Sequence, residues 1–419
     1  MTGPRRAAFV AVGSELLRAG RLDTNSLLVA RLLQECGYAL VEKRCVEDDA
    51  EAIGRALREL TPRAELVVFS GGLGPTADDV TREGVAAALG LGIIRLEAIE
   101  KALLSRFQSA GRAMPAITAR MADVIEGAEV LPNPKGTAPG QLLQVGDSVV
   151  VLLPGVPREL EEIFRTNLLR RWECTQQIHV RVLHLGGVYE SGVEERVSPL
   201  YERFGRDSVT ILAQRGQVDL VLTAAGEHGA ARLAEMENAF AAATGRDLFG
   251  RDGETLPEVV LAHARRRGWL LATAESCTGG LVGARLTSVT GASEVYVGGV
   301  VAYANALKQG VLEVRPETLE RYGAVSRECA EEMARGACRL GADCSLAITG
   351  IAGPAGGSPE KPVGTVHMAV ATPSSVRHLA TRFPGDREMV RALAATFALD
   401  LLRRVLDESG DPGAGGTLR

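Results

Sequence analysis

The chain is poor in aromatic residues, only 4% of its composition, so a surface that stacks unpaired nucleobases is not expected. It has no excess of basic side chains. Lysine and arginine number 47 against 52 acidic residues, and the formal charge of −5 disfavours a protein that coats polyanions by releasing their counterions. No apolar run approaches the ~18–20 residues of a membrane span. The longest early one, Ala7–Val12, is too short for a signal-peptide core. The seven cysteines (36, 45, 174, 277, 329, 338, 344) are odd in number, scattered and without a CxxC pair, the pattern of reduced thiols in a cytoplasmic protein. The six histidines form no HxH or HExxH motif, so no zinc-type site is expected. Glycine, by contrast, is abundant, at 48 of 419 residues, and its lack of a triplet period excludes collagen. Many backbone-shaped loops between sheets and helices fit that usage. At roughly 150 residues per domain, the length predicts about three domains.

Three segments follow from the local patterns, with boundaries at 1–171, 172–250 and 254–408, and a tail over 409–419 expected to be disordered. The first alternates strands and helices: Ala8–Val12, a helix capped by Thr24 and closed by Gly37, Leu66–Phe69, a helix through Ala86–Leu89, a hairpin about Gly146-Asp147, and a helix opened by Pro157. The middle segment reads as a small α+β unit with nothing catalytic in it. In the third, Thr255 and Gly268 bracket a helix, Trp269–Thr273 is a strand, Ser326 caps a helix, and Ser345–Ile348 is a strand. Val366, Met368 and Val370 alternate on another, and Asp386 starts the last helix. The fold class is α/β in three domains.

Several loops carry groups suited to chemistry. Gly71-Gly72-Leu73-Gly74-Pro75-Thr76 joins a strand to a helix; bare glycines let backbone N–H groups approach phosphate oxygens. Asp78 and Asp79 beside it can offer a carboxylate to Mg²⁺, which prefers oxygen ligands shared with substrate phosphates. The loop is neither a Walker A motif nor a GxGxxG fingerprint, and as a plain turn its aspartates would only cap a helix. Asn133-Pro134-Lys135-Gly136-Thr137-Ala138-Pro139-Gly140 offers an amide, a hydroxyl and bare backbone to the same ligand, or is only a turn. No serine–histidine–acid triad is apparent in the third segment, so nucleophilic catalysis there calls for a serine or threonine activated by a neutral lysine. Lys308 is the candidate, with Tyr303 five residues earlier, and the competing reading is a solvated helix-start lysine. Ser276 and Thr278, at a strand-to-helix turn before Gly279-Gly280, suit either nucleophile or phosphate-holder.

Together these motifs resemble the CinA family (competence/damage-inducible protein A) over nearly the whole chain. The resemblance rests on Gly13-Ser14-Glu15-Leu16-Leu17, Asp23-Thr24-Asn25-Ser26, the Gly71–Thr81 loop, Asn133–Gly140 and Leu153-Pro154-Gly155-Val156-Pro157. Further along it rests on Ala274–Gly280, Tyr303-Ala304-Asn305, Gly323-Ala324-Val325-Ser326, Gly350-Ile351-Ala352-Gly353-Pro354 and Lys361-Pro362-Val363-Gly364-Thr365. The family commonly has an acidic or amide residue at the position of Ser14.

The resemblance implies a molybdopterin-binding-like α/β sandwich with ADP-ribose pyrophosphatase activity, needing Mg²⁺ or another divalent cation. It implies a KH-type middle domain and a C-terminal deamidase that converts nicotinamide mononucleotide (NMN) to nicotinate mononucleotide and ammonia without a cofactor. A homodimer is implied, and a recombination or competence protein is a conceivable partner. No GxxG clamp is picked out in the middle segment, and nucleic acid is not expected as a partner. Carried onto matching positions, Ser293 is the nucleophile, Lys308 its base and Tyr303 a proton relay or positioning group. Ser276, Thr278, Gly279, Gly280, Thr349, Gly350 and Arg387 shape the ligand site. Glu15, Asn25, Gly71, Gly72, Gly74, Thr76, Asn133, Gly136, Thr137 and Gly140 form the N-terminal nucleotide site, with the metal at Asp78 and Asp79.

Geometry qualifies the nucleophile. If 293 to 303 were one straight strand, ten residues at ~3.3 Å each would part Ser293 from Tyr303 by about 33 Å. Either Gly298-Gly299 breaks the segment and folds Ser293 back, or two chains share the site, or Ser276 is the nucleophile. The break is favoured here. Two other readings compete with the bifunctional enzyme: a non-catalytic adaptor in competence or DNA repair, and a molybdopterin-binding protein.

Overall fold

A computed structural model describes residues 5–18, 20–109, 111–169, 171–172 and 178–408, so the expected disordered tail and Cys174 lie outside the described residues. The chain divides into two compact units, one reaching His179 and including Ala224–Arg232, the other comprising Val180–Thr223 and the chain from Leu233 onward. No helix among the described residues is long and apolar enough to cross a membrane.

In the first unit the strands are β1 (Arg5–Val12), β2 (Tyr38–Val46), β3 (Leu66–Ser70), β4 (Glu129–Leu131), β5 (Gly140–Val145) and β6 (Ser148–Leu153), in the spatial order β2-β1-β3-β6-β5-β4. The first four strands of that order run parallel, and β5 pairs antiparallel with both its neighbours. Helices α1 (Ser14–Arg18), α2 (Asn25–Glu35), α3 (Ala50–Leu60) and α4 (Thr81–Leu89) lie between them in the chain, and α5 (Pro157–Ile163) follows β6. β1, β3 and β6 are continuous apolar runs because helices cover both faces. Val10, Phe69 and Leu152 pack with Ile53 and Leu57 on one side. Phe9, Val68 and Val151 pack with Leu32, Leu33 and Leu160 on the other. Thr24 makes no side-chain cap to α2; the Asp23 carboxylate accepts from the Ser26 N–H instead, at 3.0 Å.

The middle domain contains β7 (Ile178–Gly186), β8 (Val209–Gln214), β9 (Gln217–Ala225), α6 (Gly229–Thr244) and β10 (Leu248–Arg251), with strand order β8-β9-β7-β10. One expectation about it fails. Gly226-Glu227-His228-Gly229 does carry GxxG spacing, in the turn from β9 into α6. On β7, His184 is buried, with Nδ1 at 2.7 Å from the Asp219 carboxylate and Nε2 at 2.6 Å from the Asp252 carbonyl. Both partners are acceptors, which favours the doubly protonated ring. The Asp219 hydrogen bond, first among the causes, raises the imidazole pKa above its ordinary 6.5. This stabilisation is complete below that unfolded-state value and is lost as pH rises through the raised folded-state value. Denaturant titrations are expected to show stability falling across that alkaline-going window in the wild type, and a flatter profile in His184→Gln.

In the C-terminal domain a capping box of Thr255 and Glu258 starts α7 (Leu256–Arg267), with Pro257 in its first turn and left-handed Gly268 ending it. The sheet comprises β11 (Leu271–Glu275), β12 (Tyr296–Val301), β13 (Cys344–Gly350), β14 (Thr365–Ala371) and β15 (Val376–Arg382), in the order β12-β11-β13-β14-β15. The first three strands of that order are parallel and the last two antiparallel. Helices α8 (Leu281–Thr287), α9 (Asn305–Gly310), α10 (Arg327–Cys338) and α11 (Arg387–Glu408) complete it. Ser326 caps α10, as expected, by accepting from the Cys329 N–H. On α11, buried Asp400 pairs with Arg403 and Arg404. Those arginines reach the Arg246 and Gly186 carbonyls and Asp247 of the middle domain.

The fold-back expected at Gly298-Gly299 does not occur. β12 continues as one strand beside β11, with only a register irregularity opposite Leu271 and Ala272. Gly298 supplies a positive φ at the register irregularity, and Gly299 serves close packing: a Cβ on Gly299 would lie 2.1 Å from Thr273 Oγ1 and 2.8 Å from the Tyr296 hydroxyl. Ser293 therefore sits exposed in the short turn Ala292–Glu294 that precedes β12, at the opposite end of the strand from Tyr303 and Lys308.

Candidate functional site

In open parallel sheets, ligands bind outside the carboxyl ends of the strands, where the winding reverses. Strand β11 lies there, with β12 on one side and β13 on the other. Three predicted groups meet at this edge. Ser276 follows β11, Lys308 stands on α9 just after β12, and Thr349 and Gly350 end β13. Lys308 is 1% exposed, and its Nζ lies 3.1 Å from Ser276 Oγ, 2.7 Å from the Ala302 carbonyl and 3.2 Å from the Tyr303 carbonyl. Burial pushes its pKa below that of an ordinary lysine. A neutral amine has two N–H groups and one lone pair. The two carbonyls can take the N–H groups, which turns the lone pair to the Ser276 hydroxyl.

The turn after Ser276 is held from three directions. Buried Glu275 accepts from the N–H groups of Gly280, Val282 and Gly283 at the start of α8. Left-handed Gly279 and Gly280 make the bend. From α11, Arg391 donates to the Thr278 carbonyl at 2.8 Å, and one turn earlier Arg387 donates to the Tyr303 hydroxyl and the Gly353 carbonyl. Thr278 is fully buried, and its hydroxyl is an unpartnered polar atom at the site. Thr349 is buried too, but its hydroxyl donates to the Ala324 carbonyl. Tyr303 thus reaches Lys308 through its carbonyl, while its 61% exposed ring turns to Arg387. Glu275 and Arg391 went unread in the sequence; an acid five residues before a Gly-Gly helix start was the available signal for the first.

The N-terminal sheet repeats the topology, with β1 between β2 and β3. Outside the carboxyl ends of its strands lies a cavity of about 690 Å³. Of the predicted residues, Glu15, Asn25, Gly71, Gly72, Gly74, Asp78, Asp79 and Thr137 line it. Thr76, Asn133, Gly136 and Gly140 support those walls instead. Thr76 donates its N–H to Asp79 and its hydroxyl to the carboxylates of Asp78 and Asp79. Asn133 donates to Glu159 at 2.7 Å, and a Cβ on Gly136 would strike that same carboxylate. Gly140 opens β5, where a Cβ would approach the Leu152 carbonyl to 3.1 Å. The Asn25 amide nitrogen donates to Ser70 Oγ and the Gly155 carbonyl, leaving its buried Oδ1 without a partner. Ser14 donates its N–H to the Asp48 carboxylate and accepts from the Asp48 N–H. Asp23, Asp48 and Glu159 also line the cavity; no motif in the sequence pointed to the last two.

No three His, Cys, Asp or Glu side chains among the described residues are gathered into a metal site. Hard oxygen donors are nonetheless abundant at the cavity, and a cation that keeps waters and shares substrate phosphates needs only one or two carboxylates. The donor set fits Mg²⁺ on those terms.

Three known families match in succession: "Probable molybdopterin binding domain" over residues 8–172, "Damage-inducible protein CinA KH domain" over 180–250, and "CinA C-terminal domain" over 253–406. A CinA-like protein of Solibacter usitatus is 39% identical over 405 residues, 95% of this chain and 97% of its own. One from Acidobacterium capsulatum is 40% identical over 411 residues, covering 96% and 99% respectively. A crystal structure of a competence/damage inducible protein from Agrobacterium tumefaciens is 42% identical, spanning 36% of this chain and 93% of that one, with a TM-score of 0.35.

Proposed function

The chain belongs to the CinA family, and from that premise we propose that its C-terminal domain is a serine–lysine amidohydrolase that deamidates NMN. The observation that carries the reading is the 3.1 Å contact between buried Lys308 Nζ and Ser276 Oγ. Ser276, rather than Ser293, is the nucleophile in this reading, because only Ser276 reaches the lysine within one chain.

Neutral Lys308 takes the Ser276 proton as Oγ attacks the carboxamide carbon. Backbone N–H groups of a glycine-rich loop would receive the developing oxyanion. The C–N bond breaks, the Lys308 ammonium returns its proton to the leaving nitrogen, and ammonia departs from a serine ester. Water then attacks the ester carbon, giving a proton back through Lys308 to Ser276 Oγ and releasing nicotinate mononucleotide. Arg387 and Arg391 stand where the substrate phosphate would be gripped, and the Thr278 hydroxyl offers it a further hydrogen bond.

Because the lysine acts unprotonated, kcat/KM is expected to rise with pH through its lowered pKa and to level off before the 10.5 of an ordinary lysine. A pH–rate profile that still climbs at that value would contradict the assignment.

The N-terminal domain is, in the same reading, a metal-dependent ADP-ribose pyrophosphatase. Asp78 and Asp79 would hold the divalent cation, which would supply charge neutralisation to the pyrophosphate. Glu15, which also lines the cavity, would accept a proton from the attacking water. Incubating the purified full chain with NMN, and separately with ADP-ribose and Mg²⁺, then resolving the products, tests both activities. Absence of nicotinate mononucleotide, or of AMP and ribose phosphate, would defeat the corresponding half.

A further inference from the structure

Arg82, the second residue of α4, has the bulkiest side chain among the fully buried described residues, at 1% exposure. No carboxylate stands within salt-bridge distance of it among the described residues, and its Nε has no hydrogen-bond partner. Its two remaining nitrogens are spent on one loop: Nη1 donates to the Leu73 carbonyl at 2.9 Å and Nη2 to the Gly74 carbonyl at 3.1 Å. A buried cation with no carboxylate in ion-pair contact is costly to a fold. Its cost calls for something that an apolar side chain of the same size would not supply.

The carbonyl partners show what that is. From Gly71 to Gly74, four successive carbonyls are all engaged from the α4 side. Gly71 accepts from the Thr81 hydroxyl, Gly72 from the Thr81 N–H, and Leu73 and Gly74 from Arg82. In a trans peptide the N–H points opposite to the C=O. The N–H groups of Gly72, Leu73 and Gly74 are therefore turned away from α4, on a stretch that lines the cavity. Such a row of amides is an anion-binding concavity. It stands in a cavity whose other charged lining is mostly negative: Glu15, Asp23, Asp48, Asp78, Asp79 and Glu159 against Arg21.

We propose that Arg82 is the positioning residue of the N-terminal site: it orients the Leu73–Gly74 peptide, pins the Gly74 carbonyl that precedes Pro75, and adds fixed positive charge behind the loop, so that a diphosphate is held there in an otherwise acidic cavity. The inference rests on the nucleotide reading of that cavity and adds a residue that touches no substrate. A salt bridge would have neutralised the charge; the Leu73–Gly74 peptide dipole instead relays it toward the ligand.

Inorganic pyrophosphate, with Mg²⁺, is the probe for calorimetric titration of the full chain. Arg82→Met is expected to weaken its binding at least tenfold while leaving the thermal midpoint unchanged or higher. Arg82→Lys, which keeps the charge but cannot span two carbonyls, is expected to fall between Arg82→Met and wild type. Pyrophosphate affinity within twofold of wild type in Arg82→Met overturns the proposal. So does a loss of binding that only follows a lowered midpoint, and so does a wild-type chain that binds no pyrophosphate. The two readings separate on ADP-ribose. Pyrophosphate binding that depends on Arg82, without ADP-ribose turnover, defeats the hydrolase and keeps the positioning role. Turnover with an unchanged KM in Arg82→Met does the reverse.

Discussion

Ser276→Ala is expected to lower NMN deamidation by roughly 10³-fold or more, the scale of removing a nucleophile from a unit that acts together. Lys308→Ala is expected to match it, and the double variant to be little worse than either. Lys308→Arg should be equally impaired, because a guanidinium is not deprotonated in proteins and has no lone pair to offer. Ser293→Ala is expected to keep near-wild-type rates, since Ser293 stands at the far end of β12. Steady-state ammonia release, with near-UV circular dichroism to confirm folding, checks all five. A Ser293→Ala loss equal to that of Ser276→Ala would return the nucleophile to Ser293 and require a second chain to complete the site.

Asp400→Ala is expected to destabilise the second unit by about 3–5 kcal/mol, the range for removing one partner from a buried ion pair. The carboxylate is 4% exposed and is shared by Arg403 Nη2 at 2.7 Å and Arg404 Nε at 2.6 Å, so its loss leaves buried Arg403 with no carboxylate and Arg404 with Asp247 alone. The exposed Glu51–Arg55 pair is the control: Arg55→Ala is expected to cost no more than about 1 kcal/mol. Urea unfolding read at constant slope distinguishes the two cases, and equal midpoints would show the cluster to be dispensable.

Much of the fold was legible because buried parallel strands announce themselves. Val67–Phe69 and Leu346–Ile348 are unbroken apolar runs. β2 escaped because Glu42, Lys43 and Arg44 interrupt its pattern, and only Tyr38 in it is buried. The site was legible in its parts and not in its pairing. Ser276 and Lys308 both stood out as types, Ser276 by its strand-to-helix turn and Lys308 by the need for a neutral amine. What joins them is the parallel register that sets Glu275 against Val301, which no spacing rule exposes. Gly298-Gly299 misled for a related reason: a glycine pair signals either a chain reversal or close packing. Here the Thr273 and Tyr296 hydroxyls decide for packing at Gly299, while Gly298 carries a positive φ. Arg82 was invisible because a buried arginine looks like any helix-surface arginine until its neighbours are known.

The two candidate sites, alike in topology, are closed over very different lengths of chain. Ser276 and Lys308 are 32 residues apart, joined through one strand-to-strand crossover. The N-terminal cavity is tied shut by Asn25 reaching Gly155 across 130 residues, after every parallel strand of its sheet has formed. Contacts of long sequence separation assemble late and carry the larger closure entropy. During refolding the serine–lysine contact can therefore re-form while the N-terminal cavity is still open, but deamidation itself waits for Arg391 to reach Thr278 across 113 residues.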